Sequence, residues 1–212
     1  MKTKIFLDSG DPAETKTTLE LLGFLDGQTT NPSLIAKHPD ATGQKFSQQE
    51  IFTFYKKIIQ EISALIPAGS VSVEVYADKD TTAQAMISQA REMNQWISNA
   101  WIKLPTTAAG LTAAEQLVKE KLRLNLTLCF SQEQAAAVYS ATKGSGKGEV
   151  FVSPFIGRLD DRGENGMDLI ANILKMYSSG DGHVEVLTAS VRHQDHFLEA
   201  LRLRSDIITA PL

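Results

Sequence analysis

The stretch LRLNLTLCF (122–130) decides the fold. Leu124, Leu126 and Leu128 alternate with Asn125 and Thr127, so successive side chains meet two different surroundings. A period of two belongs to an extended strand, whose side chains point alternately to opposite faces. Here one face is aliphatic and the other carries an amide and a hydroxyl. WIKLP (101–105) repeats the arrangement, with Lys103 between Ile102 and Leu104. A cation in a core strand needs a reason, because desolvating an ammonium is expensive.

Outward from these two runs the chain alternates regularly. Strand patterns occur at 4–8, 23–28, 71–77, 100–104, 122–130, 149–153, 183–190 and 206–210. Helical patterns fill 11–22, 47–65, 80–97, 108–120, 131–142, 165–178 and 194–203. Asp11 before Pro12, Ser47 three residues before Glu50, and Ser131 before Gln132 read as helix N-caps. Strands alternating with helices at this spacing predict βαβ units and a parallel sheet. Eight strands favour an α/β fold of the (β/α)₈ TIM-barrel type, one domain over 1–212, compact beside the ~250 residues typical of the fold. A dinucleotide-binding sheet lacks its fingerprint, since no G-x-G-x-x-G follows the first strand. TKGSGKGE (142–149) is a flexible connection, because a phosphate loop requires Ser or Thr after its lysine and Gly148 follows Lys147 here. The chain stops at Leu212, directly after the eighth strand, where a barrel adds a last helix; that helix is expected to be missing or truncated.

Composition narrows the function classes. With 212 residues and 42% hydrophobic side chains the chain can bury a sizeable core. A net charge of −4, with no basic block, gives no footprint for nucleic acid or a membrane surface. The single cysteine, Cys129, excludes an internal disulfide framework and suits a reducing cytoplasmic setting. MKTKIFLDSG has too short an apolar run for a signal peptide, and no later stretch approaches a membrane span.

In a barrel one strand face meets the helices and the other looks into the lumen. Alternation turns Ile5, Leu7, Val73, Val75, Ile102, Leu104, Leu124, Leu126, Leu128, Val150, Val152, Leu187 and Ala189 outward. It leaves Asp8, Ser72, Glu74, Lys103, Asn125, Thr127, Ser153 and Ser190 inward, and TTNPS adds Thr29, Thr30 and Asn31 after the second strand. These residues lie at or near C-terminal strand ends, the face on which barrel enzymes build their sites. A purely structural layer would use bulky aliphatics instead.

A lysine among low-dielectric walls can act as a neutral amine nucleophile, forming a Schiff base with a ketone. Asp8 and Glu74 are then the carboxylates available to move protons. The other reading of Lys103 is a fixed cation that binds phosphate or pairs with Glu74, and spacing leaves both open. Arg158 after SPFIG and Arg192 after TASV sit on late barrel loops, where guanidinium forks suit a phosphate; Ser190 adds a hydroxyl.

FLDSGD (6–11), TTNPSLI (29–35), VSVEV (71–75), WIKLP (101–105), NLTLCFS (125–131), SPFIGRLDD (153–161) and TASVR (188–192) together resemble the transaldolase family over nearly the whole chain. The resemblance implies a (β/α)₈ barrel without metal or cofactor that moves a dihydroxyacetone unit between sugar phosphates of the pentose phosphate pathway. It makes Lys103 the Schiff-base lysine and Asp8 the acid–base residue for the C4 hydroxyl. Glu74 and Thr127 become the pair that holds a catalytic water. It makes Asn31, Asn125 and Ser153 donors to the dihydroxyacetone hydroxyls, with Arg158, Ser190 and Arg192 at the phosphate. Thr30, Phe130 and Phe155 are expected near the substrate. The related fructose-6-phosphate aldolases, which release dihydroxyacetone, carry glutamine at the Glu74 position and tyrosine at the Phe130 position. Both residues here stand on the transaldolase side. The resemblance also implies a homo-oligomer, with pentamers and decamers known in the family.

Other candidates carry blander expectations. His193 and His196 are expected to face solvent, without a metal. Trp96 and Trp101 are expected to pack the third helical stretch against the barrel, and Cys129 to face inward as a small packed side chain.

Overall fold

The computed structural model of the protein describes residues 2–212. The apolar runs pair in chain order as parallel strands, and the last returns to the first, closing an eight-stranded barrel. The strands are β1 (Lys4–Asp8), β2 (Gly27–Thr29), β3 (Ser70–Glu74), β4 (Ala100–Pro105), β5 (Leu124–Cys129), β6 (Val150–Pro154), β7 (Val184–Thr188) and β8 (Ile207–Ala210). Between them run α1 (Pro12–Leu22), α2 (Pro32–Ala36), α3 (Gln48–Leu65), α4 (Ala83–Asn94), α5 (Ala108–Lys119), α6 (Gln132–Ala141), α7 (Ile156–Asp160), α8 (Gly166–Tyr177) and α9 (Gln194–Arg202). This is the (β/α)₈ TIM barrel expected from the sequence. No helix among the described residues is long and apolar enough to cross a membrane.

Local signals place the long helices. Asp11 accepts a hydrogen bond from Ala13 N–H with Pro12 at the first helical position, and Ser47 and Glu50 form a reciprocal capping box. Ser131 caps α6 through Gln134 N–H. The second strand starts later than its composition suggests. Gly23 adopts φ 74°, which ends α1 by returning its N–H to Leu19, and only Gly27 onward can pair with β1 and β3. α2 and α7 have five residues each, too few for an apolar period to register, and they lie outside the helical stretches read from the sequence.

Two apolar layers result. Val73, Ile102, Leu124, Val150 and Val184 stand in one register row across β3 to β7 and are buried against the helices. A second, smaller cluster fills the lumen: Phe6, Phe151, Leu187, Ala189 and Ile207, with Trp101 and Phe155 against it. Trp101 stacks on Phe151 at 5.3 Å and 5°, while Phe6 meets Phe151 edge-on at 5.9 Å. Trp101 therefore does not pack a helix against the barrel; it shares strand parity with Lys103 and so points inward. Trp96 does serve the helix interface, edge-on to Phe52 and Tyr55 of α3.

Strict alternation fails at two places, each marked by a left-handed residue. Leu128 has φ 58°, and the β5–β6 register shifts between Leu126 and Cys129. The extra residue exchanges the faces beyond it, so Leu128 lines the upper cavity and Cys129 joins the outer core. In β7, Val184 and Val186 belong to the outer core, so Leu187 and Ala189 point inward rather than outward. Ser190 then reaches the lumen mouth only because its φ of 61° turns the chain.

The lumen plug makes the floor of the site. Phe151→Ala removes its central ring and is expected to cost about 3–5 kcal/mol, read by urea denaturation of the two proteins. A loss below about 1 kcal/mol would contradict a packed floor.

Candidate active site

Above the plug the inward residues become polar, and strand register decides which of them meet. Glu74, Lys103 and Asn125 are consecutive partners across β3, β4 and β5, while Asp8 pairs with Thr29 across β1 and β2. The side chains of Asp8, Thr29, Glu74 and Lys103, with the loops above them, line a cavity of about 710 Å³ at the C-terminal mouth, whereas Asn125 is wholly buried behind that lining.

Lys103 is 4% exposed. Its Nζ lies 3.0 Å from Glu74 Oε2 and donates to the Thr30 carbonyl at 3.3 Å. Of the two readings left open by the sequence, the ion pair is thus formed. It does not exclude the nucleophile. A carboxylate at contact distance is also the nearest acceptor for the proton that must leave before nitrogen can attack. Glu74 is the more open partner, with 18% of its side chain exposed, so the pair faces the cavity through its acid.

On the opposite wall Asp8 Oδ1 accepts from Thr29 Oγ1 at 2.6 Å, and Thr29 Oγ1 is 2.7 Å from Thr209 Oγ1 on β8. Asn125 accepts from Ser153 Oγ at 2.6 Å and donates to Ser72 Oγ at 3.1 Å. Thr127 Oγ1 is buried with no hydrogen-bond partner among the described residues. Asn31 caps α2 by accepting from Leu34 N–H, which leaves its amide N–H groups to the cavity. Thr30 departs from expectation. Its hydroxyl turns away from the cavity to Tyr55 and the Ser72 carbonyl, and only its backbone oxygen touches the site.

The cationic end of the cavity comes from the late loops. Arg158 on α7 lies over the Phe155 ring at 5.4 Å and forms no ion pair among the described residues. Arg192 donates to Asp161 at 2.8 Å, and half of its side chain is exposed. Ser190 lines the same end. Phe155 lines the cavity directly, whereas Phe130 stands behind it, edge-on at 6.1 Å and covered by Arg162.

Sequence reading missed Tyr55, Thr209 and Lys37. The Tyr55 hydroxyl accepts from Glu74 N–H at 2.9 Å and bonds Thr30 Oγ1 at 2.9 Å, so it ties α3 to two site strands. Burial pushes its hydroxyl pKa upward, and it stays protonated. A tyrosine on an amphipathic helix carries no sequence signal beyond core. Lys37 ends α2 and adds a third cation at the rim. A larger cavity of about 880 Å³ opens at the other end of the barrel, where Lys4 is closed by Glu185 at 2.8 Å.

His196 is buried rather than solvent-facing, and its Nε2 lies 2.6 Å from Asp160 Oδ2. Cys129 is set in the outer core, and burial pushes its thiol up to about 11.

Two outcomes check this geometry. Tyr55→Phe strands the Glu74 N–H and removes one of the two partners of the Thr30 hydroxyl, which keeps the Ser72 carbonyl, and is expected to cost about 1–3 kcal/mol, measured by thermal and chemical unfolding. Iodoacetamide at neutral pH is expected to leave Cys129 unmodified in the folded protein and to alkylate it after denaturation; fast labelling of the native chain would contradict the assigned burial.

Comparison with known proteins agrees with the barrel and places the chain in a family. Residues 5–212 match the family model described as transaldolase/fructose-6-phosphate aldolase. A probable transaldolase from Dehalococcoides mccartyi is 40% identical over 208 residues, covering 98% of this chain and 86% of its own. Probable transaldolases from an Anaeromyxobacter species and from Brucella ovis are 42% and 41% identical over the same share of this chain, covering 86% and 85% of their own. Among solved structures, a putative dehydratase from Mesorhizobium loti superposes with a TM-score of 0.63 at 12% identity, covering 99% of this chain and 55% of its own. 2,3-Dimethylmalate lyase superposes with the same score at 11% identity, covering 99% and 75%. At such identities these two share the fold alone.

Proposed function

The chain belongs to the transaldolase/fructose-6-phosphate aldolase family, and within it we propose a transaldolase, moving a dihydroxyacetone unit from a ketose phosphate to an aldose phosphate. The observation that carries this reading is the Lys103–Glu74 contact of 3.0 Å at the base of a cavity whose rim holds Arg158 and Arg192.

The Lys103 proton passes to Glu74, and the free amine adds to the C2 carbonyl of the ketose. The resulting carbinolamine takes a proton back on its hydroxyl and loses water, leaving an iminium on Nζ. Asp8, on the opposite wall, accepts the C4 hydroxyl proton as the C3–C4 bond breaks. The bonding electrons move into the iminium to give an enamine, and the aldose phosphate departs. An incoming aldehyde is attacked by the enamine carbon while Asp8 returns the proton. Hydrolysis then frees the new ketose. Asn31, Asn125 and Ser153 orient the hydroxyls of the three-carbon unit, and Arg158, Ser190 and Arg192 hold the phosphate. Thr127, with its uncommitted buried hydroxyl, is suited to hold the water of the carbinolamine steps.

Phe130 supports transfer over release. It brings no hydroxyl to the site and packs against Phe155, so position 130 supplies no phenol to protonate the enamine, and the phenol that does line the cavity, Tyr76, stands largely in solvent. The covalent intermediate then waits for an aldehyde.

Fructose 6-phosphate turnover with and without erythrose 4-phosphate tests the assignment. Dihydroxyacetone transfer is expected only with the aldehyde; free dihydroxyacetone forming equally fast without it would overturn the transferase reading in favour of an aldolase. Asp8→Asn is expected to lower kcat by about 10²–10⁴-fold while leaving Schiff-base formation on Lys103 intact.

A further inference from the structure

Beyond the phosphate ligands themselves, we infer that His196 is a positioning residue that sets the distance between the Arg158 and Arg192 segments; the inference rests on the sugar-phosphate reading of that end of the cavity. His196 lies in the first turn of α9, only 6% exposed. Its Nδ1 accepts the backbone N–H of Arg192 at 3.3 Å, and its Nε2 lies 2.6 Å from Asp160 Oδ2. Asp160 is the last residue of α7, two positions after Arg158, and its Oδ1 accepts the N–H of Gly166 at the start of α8. One imidazole thus joins the backbone that carries one arginine to the helix that carries the other.

Proton counting fixes its state. A backbone N–H can only donate, so Nδ1 must present a lone pair, and the single proton of a neutral imidazole sits on Nε2, facing the carboxylate. The same count argues against a metal reading of the cluster formed by Asp160, His193 and His196, whose ligand atoms lie within 4.8 Å of one another. A metal on Nε2 would need the other ring nitrogen to carry the proton, which the Arg192 N–H forbids.

The neighbouring contacts leave this link little slack. Gly157 on α7 donates to the Ser190 carbonyl at 3.1 Å, and a Cβ on it would come 2.5 Å from Arg192 Cγ. Asp161 holds the Arg192 guanidinium from the same turn of chain. That exposed pair can be exchanged for a phosphate, since a carboxylate and a phosphate compete for one fork. The buried His196 link does not have to break when the guanidinium changes partner. It keeps the Arg192 main chain in place while its side chain swings from Asp161 to the substrate.

Borohydride trapping on Lys103 separates phosphate positioning from chemistry, because dihydroxyacetone forms the same Schiff base without a phosphate. With His196→Ala, the fructose 6-phosphate concentration for half-maximal trapping is expected to rise about tenfold, while that for dihydroxyacetone and the maximal yield stay as in the wild type. His196→Asn keeps an acceptor for Arg192 N–H but cannot reach Asp160; a shift of about threefold for fructose 6-phosphate alone is expected. This milder variant carries the test if the alanine protein does not fold. Equal shifts for both ligands, or none in either variant, would overturn the inference and leave the transaldolase reading standing. No adduct from either ligand on the wild-type protein would overturn that reading, and this inference with it.

Discussion

A buried lysine against a half-buried glutamate is the constraint on which the site depends. Lys103 is almost without solvent, and an uncompensated ammonium there would be strongly destabilising. Glu74 at 3.0 Å and the Thr30 carbonyl at 3.3 Å compensate it. Both partners have to be held in turn. Tyr55 does this from outside the barrel, its hydroxyl accepting from the Glu74 N–H and donating to Thr30 Oγ1, whose own proton goes to the Ser72 carbonyl. The aromatic floor of Phe6, Trp101 and Phe151 does it from below by closing the lumen under the polar layer. The buried amine is thus fixed by strand register, Lys103 standing between Glu74 and Asn125.

The barrel was legible because its strands advertise themselves. In β4, β6 and the first half of β5 outward aliphatic residues alternate with inward aromatic or polar ones, and the structure keeps that parity for Lys103, Asn125 and Ser153. Legibility ended where the backbone left the extended region. Leu128 and Ser190 adopt positive φ without being glycine, so nothing in their side chains announced the turn. One exchanged the faces of Leu128 and Cys129; the other brought Ser190 to the mouth although Leu187 and Ala189 already occupied the inward face. The short helices α2 and α7 escaped for a different reason, having too few residues to show a period. They are nonetheless what delivers Asn31 and Arg158.

The two ends of the cavity follow different building rules. The Lys103 end hangs from paired strands, and Asp8, Glu74 and Lys103 each have a register partner. The cationic end hangs from a five-residue helix and a loop, with Arg158 over Phe155 and Arg192 on Asp161. Loops of this kind tolerate variation, so their geometry has to be tied by side chains. The buried His196–Asp160 contact supplies such a tie, and it reads from sequence as nothing more than two histidines near a helix start.

The most direct measurement is to locate the covalent intermediate. The protein is incubated with fructose 6-phosphate, reduced with borohydride, digested, and the modified peptide sequenced by mass spectrometry. The result expected is a single reduced adduct on Lys103, absent from Lys103→Met. An adduct on any other lysine, or an unmodified Lys103 after complete reduction, would contradict the Schiff-base site described above.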